Sequence, residues 1–165
     1  MRRVDDMALR EIITVGSQDE NTLRKVCREV AEVNDRIRTL LDDMVETMRF
    51  EGRGVGLAAP QIGVLRRIFV ADIGDETGLL EFINPEIIKR EGEVVSEEGC
   101  LSIPGETGKV LRPEKLTIKA LDRNGNSFTI EAEDFLAVCI SHEYDHLDGI
   151  LYTDKLIEEE ENEEA

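Results

Sequence analysis

The chain predicts an α+β domain with a mostly antiparallel or mixed sheet, on three observations. A helical apolar pattern comes early, a block of short strand-like runs fills the middle, and a second helical pattern near the end carries the only two histidines. Strands clustered between helices, instead of alternating with them, give this class. At 165 residues the chain suits one domain with a real core. That domain is expected over residues 1–156, followed by an acidic tail at 157–165.

Residues 23–30 read as a short helix or a turn. Val33, Ile37, Leu40, Leu41, Met44, Val45 and Met48 then recur at spacings of three and four, which gathers them on one helical face. Asn34 is the expected N-cap of that helix and Gly52 its stop. From Gly54 the pattern turns to strands. Residues 65–73 carry a strand-like core, Arg67-Ile68-Phe69-Val70-Ala71, and residues 79–83 are apolar and expected to end at Asn84-Pro85. Ile87-Ile88 and Val94-Val95 flank Glu91-Gly92. Residues 116–121 alternate, meet a turn at 122–126, and are followed by a run at 127–130; Asn124-Gly125 between two such runs signals a hairpin. A second helix is expected over about 134–148, with Asp134 as N-cap and Gly149 at its far end. Phe135, Val138, Cys139, His142 and His146 fall on one stripe of it, which should face the sheet.

The composition is 41% hydrophobic and 35% charged, with a net charge of −17. No run of 18 apolar residues is present, so no membrane span is expected. The opening residues lack the apolar stretch of a signal peptide, and the expected compartment is the cytoplasm. Three widely spaced cysteines, Cys27, Cys100 and Cys139, do not form a disulfide framework. The acidic balance argues against sequence-specific nucleic-acid binding. The final residues hold six glutamates and neither lysine nor arginine, a composition that stays solvated.

His142-Glu143-Tyr144-Asp145-His146 is the densest chemical signal. Residues four apart share a helical face, so two imidazoles can grip one metal ion, and the glutamate between them can serve as general base on a water held there. Such a string also occurs in ordinary polar helices; here it consumes both histidines of the chain. A catalytic site of this kind needs a third protein ligand. Cys100, in the polar segment 96–104, is the better candidate, although an isolated cysteine is commonly a small core residue. Cys27 and Cys139 read as packing. The other dense motif is Gly54-Val55-Gly56-Leu57-Ala58-Ala59-Pro60-Gln61. It lacks the lysine and spacing of a phosphate loop. Its glycines permit close backbone approach, and Gln61 could aim an amide donor at a developing oxyanion; a tight packing turn is the other reading.

These three stretches, Gly54 to Gln61, Glu98 to Ser102 and His142 to His146, resemble in order and spacing the three motifs of the peptide deformylase family, and the similarity extends over about residues 9–156. The resemblance implies metal-dependent removal of the formyl group from the N-terminal methionine of new polypeptides. It implies an α+β fold whose sheets pack around the C-terminal metal-binding helix. By the same resemblance Cys100, His142 and His146 hold one metal, generally Fe²⁺, with zinc, nickel or cobalt as substitutes. Glu143 handles the proton, while Gln61 and the Leu101 backbone N–H stabilise the oxyanion. Val55, Phe135, Val138 and Cys139 match the methionine pocket, and Gly56 and Gly99 the backbone that lines the peptide. The expected substrate is an N-formylmethionyl peptide, with at most transient contact to the ribosome, since the chain ends short and acidic instead of in a basic helix. Two departures stand out: residues 14–19 lack the proline common there, and no arginine stands near Thr107. Two other functions remain in play on the residues alone, a peptidase cutting internal bonds and a non-catalytic metal-binding relative.

Overall fold

The computed structural model describes residues 9–52 and 54–158. Helix α1 spans Asp35–Glu51, seven strands follow, and helix α2 spans Asp134–His146. Asn34 caps α1, its side chain accepting from Ile37 N at 3.2 Å, and Gly52 closes it at φ 72°. That left-handed conformation is where glycine is favoured. Among the described residues before α1, helical structure is limited to one short 3-10 turn, Glu20–Arg24.

The strands are β1 (Gly56–Ala58), β2 (Ile68–Ala71), β3 (Leu80–Glu91), β4 (Val94–Cys100), β5 (Ile103–Arg112), β6 (Lys115–Leu121) and β7 (Ser127–Glu133). Five form one antiparallel sheet in the order β1-β2-β3-β6-β7, and β4 and β5 form a separate two-stranded hairpin. Side chains alternate across a strand, and here the alternation sorts two cores. Leu57, Ile68, Val70 and Ile83 pack with Leu40, Leu41, Met44 and Met48 of α1. Ala58, Phe69, Ala71 and Phe82 turn the other way, toward Ala137, Cys139 and Ile140 of α2. Phe69 and Phe82 stack at 4.5 Å. The sheet thus lies between the helices. A third cluster, Leu23, Ile103, Val110, Leu151 and Tyr152, sits beneath the hairpin.

The strand expected to end at Asn84-Pro85 instead continues to Glu91. Pro85 has no N–H for the ladder. The chain accommodates it with a register shift between Ile83 and Glu86, and Asn84 takes φ 50°, a conformation asparagine tolerates. The Asn84 side chain clasps Val30 from both sides, Val30 N donating to Oδ1 at 2.7 Å and Nδ2 donating to Val30 O at 2.9 Å. The first half of β3 pairs with β2 and the second with β6. The expected hairpin is β6–β7, its turn held by Asp122 Oδ1, which accepts from Asn124 N and Asn126 N.

Helix α2 differs from expectation at its start. Glu133 occupies the N-cap and Asp134 is the first helical residue, at φ 55°. Its N–H donates to Glu114 O instead of being left for a cap. Nearly every residue from Ala137 to His146 is buried, because α2 packs on β1 and β2, on β6 and β7, and on β5. Past it, the chain returns along the hairpin: Leu156 bridges Val110, and Ile157 N donates to Lys109 O at 2.9 Å. Most of the expected acidic tail, 159–165, lies outside the described residues.

Candidate metal centre

Cys100, His142 and His146 each present a donor atom, and these atoms lie within 4.8 Å of one another. Cys100 Sγ stands 3.4 Å from His146 Nε2. Donors about 2.0–2.3 Å from one tetrahedral ion would stand at such separations. His142 Nδ1 meets Glu98 Oε1 at 2.9 Å. That contact fixes the tautomer with Nδ1–H donating and Nε2 left for a cation. Burial opposes charge on both rings, whose centroids are 5.1 Å apart. It holds His146, with His142 beside it, well below the usual imidazole range. At His142 the Cys100 and Glu98 partners outweigh burial and push the value up to about 10. Two imidazoles and a thiolate fit a divalent transition ion. Cys27 and Cys139 do not belong to this donor group; burial pushes Cys27 up to about 11, and Cys139 well above its ordinary value.

Behind the donors lies a buried ionic network that the sequence reading missed. Arg112, 2% exposed, donates through Nε and Nη2 to Glu98 at 2.7 and 2.8 Å, and through Nη1 to Asp145 at 2.7 Å and to Ser141 at 3.4 Å. Burial alone would raise the Glu98 carboxyl, but the hydrogen bonds from Arg112 and His142 hold it at about 2. Strand β5 therefore ties β4, with Cys100 at its end, to the helix carrying both histidines. Asp145 was in view inside the histidine motif; Arg112 stands in a run with no chemical pattern.

Glu143 is buried, and its Oε1 has no hydrogen-bond partner among the described residues. Burial raises its carboxyl to about 7, against the lowering effect of His142. Gln61, 1% exposed, is oriented: Ala58 N donates to Oε1 at 2.9 Å, so Nε2 faces Ser102 Oγ at 3.1 Å and Cys100 Sγ at 3.5 Å. The N-terminal segment braces this corner, Ile13 N donating to Gln61 O and Val15 N to Ser102 O.

These groups open onto a cleft of about 720 Å³. Val55, Gly56, Gln61, Gly99, Leu101, Phe135, Val138, Cys139 and Glu143 all line it, beside Cys100 and His142. His146 closes the donor set from below, 1% exposed. Phe135 was expected on the face packed against the sheet but is 54% exposed at the cleft; it stands in the first turn, before α2 passes under cover. Ser102, Glu51 and Glu106 join the region without having been singled out.

A cysteine sulfur and two imidazoles at one end of a cleft, with a buried glutamate beside them, form the kind of site a metal-dependent hydrolase uses. The profile of the polypeptide deformylase family matches residues 9–162. The chain is 57% identical over 136 residues to peptide deformylase 1 of Clostridium perfringens, covering 82% of this chain and 92% of that one. It is 54% identical over 151 residues to a peptide deformylase of Acetivibrio thermocellus, covering 92% and 85%. Its fold is similar to the crystal structure of peptide deformylase from Thermotoga maritima, with a TM-score of 0.84 at 34% identity over 91% of this chain and 99% of that one. It also resembles the Synechococcus elongatus peptide deformylase in complex with actinonin, with a TM-score of 0.83 at 35% identity over 90% and 79%. The chain belongs to the polypeptide deformylase family.

Proposed function

We propose that this protein hydrolyses the formyl group from the N-terminal methionine of newly made polypeptides, releasing formate, with Cys100, His142 and His146 as metal ligands. The observation that carries the reading is the convergence of these donors with the unpaired Glu143 carboxylate on one cleft. When bound, the ion supplies Lewis acidity: it lets water lose a proton near neutral pH and draws electrons from a carbonyl oxygen. Glu143 takes the proton from the attacking water and passes it to the methionine nitrogen as the C–N bond to the formyl carbon breaks. Gln61 Nε2 and the Leu101 N–H donate to the oxygen that becomes negative at the tetrahedral stage. Val55, Phe135, Val138 and Cys139 receive the methionine side chain, and the backbone at Gly56 and Gly99 borders the peptide.

The metal in this reading is Fe²⁺, one per chain, with zinc, nickel or cobalt able to replace it. Residues 1–156 act as one catalytic domain. No helix among the described residues is long and apolar enough to cross a membrane; the reading places the protein in the cytoplasm. Its meeting with the ribosome is transient, because six glutamates in 157–165 would be repelled by ribosomal RNA.

The direct test is anaerobic incubation of iron-loaded protein with formyl-Met-Ala-Ser. Formate release with intact internal peptide bonds is expected; internal cleavage without formate would favour a peptidase. Cys100→Ser is expected to lower metal stoichiometry or affinity, because a hydroxyl replaces a thiolate poorly, whereas Cys27→Ser and Cys139→Ser should keep one metal per chain. Similar metal loss in all three would undo the ligand assignment. Activity of the iron form is expected to decay in air and that of the nickel form to persist, since an iron-bound thiolate is open to oxidation. Days of air-stable activity with iron bound would contradict the expected oxidative loss and leave the hydrolysis reading intact.

A further inference from the structure

We infer that Gly56 is a positioning residue: its missing side chain seats the Glu143 carboxylate beside the metal donors. The catalytic consequence rests on the deformylase reading; the packing consequence does not. A Cβ at Gly56 would stand 2.6 Å from Glu143 Oε2, 2.8 Å from Cγ and 2.9 Å from Cδ. Carbon atoms do not approach that closely, so alanine here must move Glu143 or the strand.

Backbone conformation does not require this glycine. Gly56 is not among the positive-φ glycines, and it pairs in ordinary register with Ala71. Glycine inside a strand costs about 0.5–1 kcal/mol relative to alanine. The neighbouring glycines differ. A Cβ on Gly54 would meet the end of the Leu101 side chain at 3.0 Å, and one on Gly108 would meet the tip of Leu156. Both of those neighbours are far ends of flexible chains. At Gly56 the blocked atoms include Cγ, one bond beyond Cβ on a buried turn of α2, and no rotation of the carboxylate alone clears it.

Glu143 also lacks other restraints. Its Oε1 is buried without a hydrogen-bond partner among the described residues. Its rotamer is therefore fixed by walls, and Gly56 on β1 is one of them. Displacing a catalytic group by about 1 Å can cost on the order of 10²-fold in rate.

The test is a cycle of full-length, metal-loaded Gly56→Ala, Glu143→Ala and the double variant. Gly56→Ala is expected to keep one metal per chain and lower kcat by about 10²-fold, with a smaller change in KM for formyl-Met-Ala-Ser. It should lower Tm when Glu143 is present, and leave Tm unchanged or raise it in the Glu143→Ala background, where the obstructing atoms are gone. If the single variant fails to fold and the double variant folds, that contrast also supports the inference. Equal Tm effects in both backgrounds, failure of both to fold, a retained kcat, or a loss confined to KM would each overturn it. No formate release by the wild type would instead refute the deformylase reading while leaving the Tm cycle to stand or fall on its own.

Discussion

Glu143→Ala is expected to keep one metal ion per chain and to lose about 10²–10⁴-fold in kcat. The three donors lie on Cys100, His142 and His146, so removing this carboxylate touches no ligand. In the proposed mechanism, what is lost is the group that would carry a proton from water to the leaving amine. Burial, which raises the Glu143 carboxyl to about 7, suits that task, since transfer in both directions is easiest for a group poised near working pH. Parallel measurement of metal content and formate release checks the expectation. Turnover within a few-fold of wild type would remove Glu143 from the mechanism, and loss of the metal would make it a ligand or a structural support.

Arg112→Met should produce the largest stability loss. Arg112 is surrounded by Glu98, Asp145 and Ser141 and is almost free of solvent contact. Its removal leaves two buried carboxylates facing each other's field, with Lys155 alone to offset Asp145 at 2.9 Å. Breaking a buried pair by taking one partner costs about 3–5 kcal/mol. For a chain of this length that is a Tm decrease on the order of 10 °C. The comparison is Lys115→Met, which removes an exposed 3.6 Å pair with Glu133 and should cost about 0–1 kcal/mol. Metal affinity should fall as well, by about 10–100-fold, because Glu98 orients His142 and outer partners have effects of that size. Arg112→Met with wild-type Tm and metal affinity would mean that the network is merely tolerated.

Some of this architecture was legible because it depends on neighbours in sequence. Asn34 and Gly52 bound α1 through local capping, and the alternation on either side of Asn124-Gly125 announces β6 and β7. The histidine motif is local for the same reason, since a helix fixes the spacing of His142 and His146. Cys100 becomes a ligand only through the register of β4 and β5, so composition left it ambiguous and family resemblance settled the expectation. Arg112 and Asn84 were not legible at all. One is an ordinary arginine at a strand end until folding surrounds it with carboxylates. The other stands before a proline, where a strand should stop; the strand goes on through a register shift, with the Asn84 side chain bonded to the backbone of Val30, distant in sequence.

That clasp at Asn84 bears on the chemistry through solvent. A flat sheet can shelter one flank of a helix, leaving the opposite flank to bulk water. The five-stranded sheet changes pairing partners at the Asn84-Pro85 irregularity, and α2 touches the strands on both sides of it as well as β5. The helix is covered along most of its circumference, although it carries Ser141, His142, Glu143, Asp145 and His146. Charges in such surroundings act on one another more strongly than they would through water. The Asn84 amide grips the main chain where the sheet changes partners, at one remove from the sheltered surroundings in which the proposed proton transfer would run.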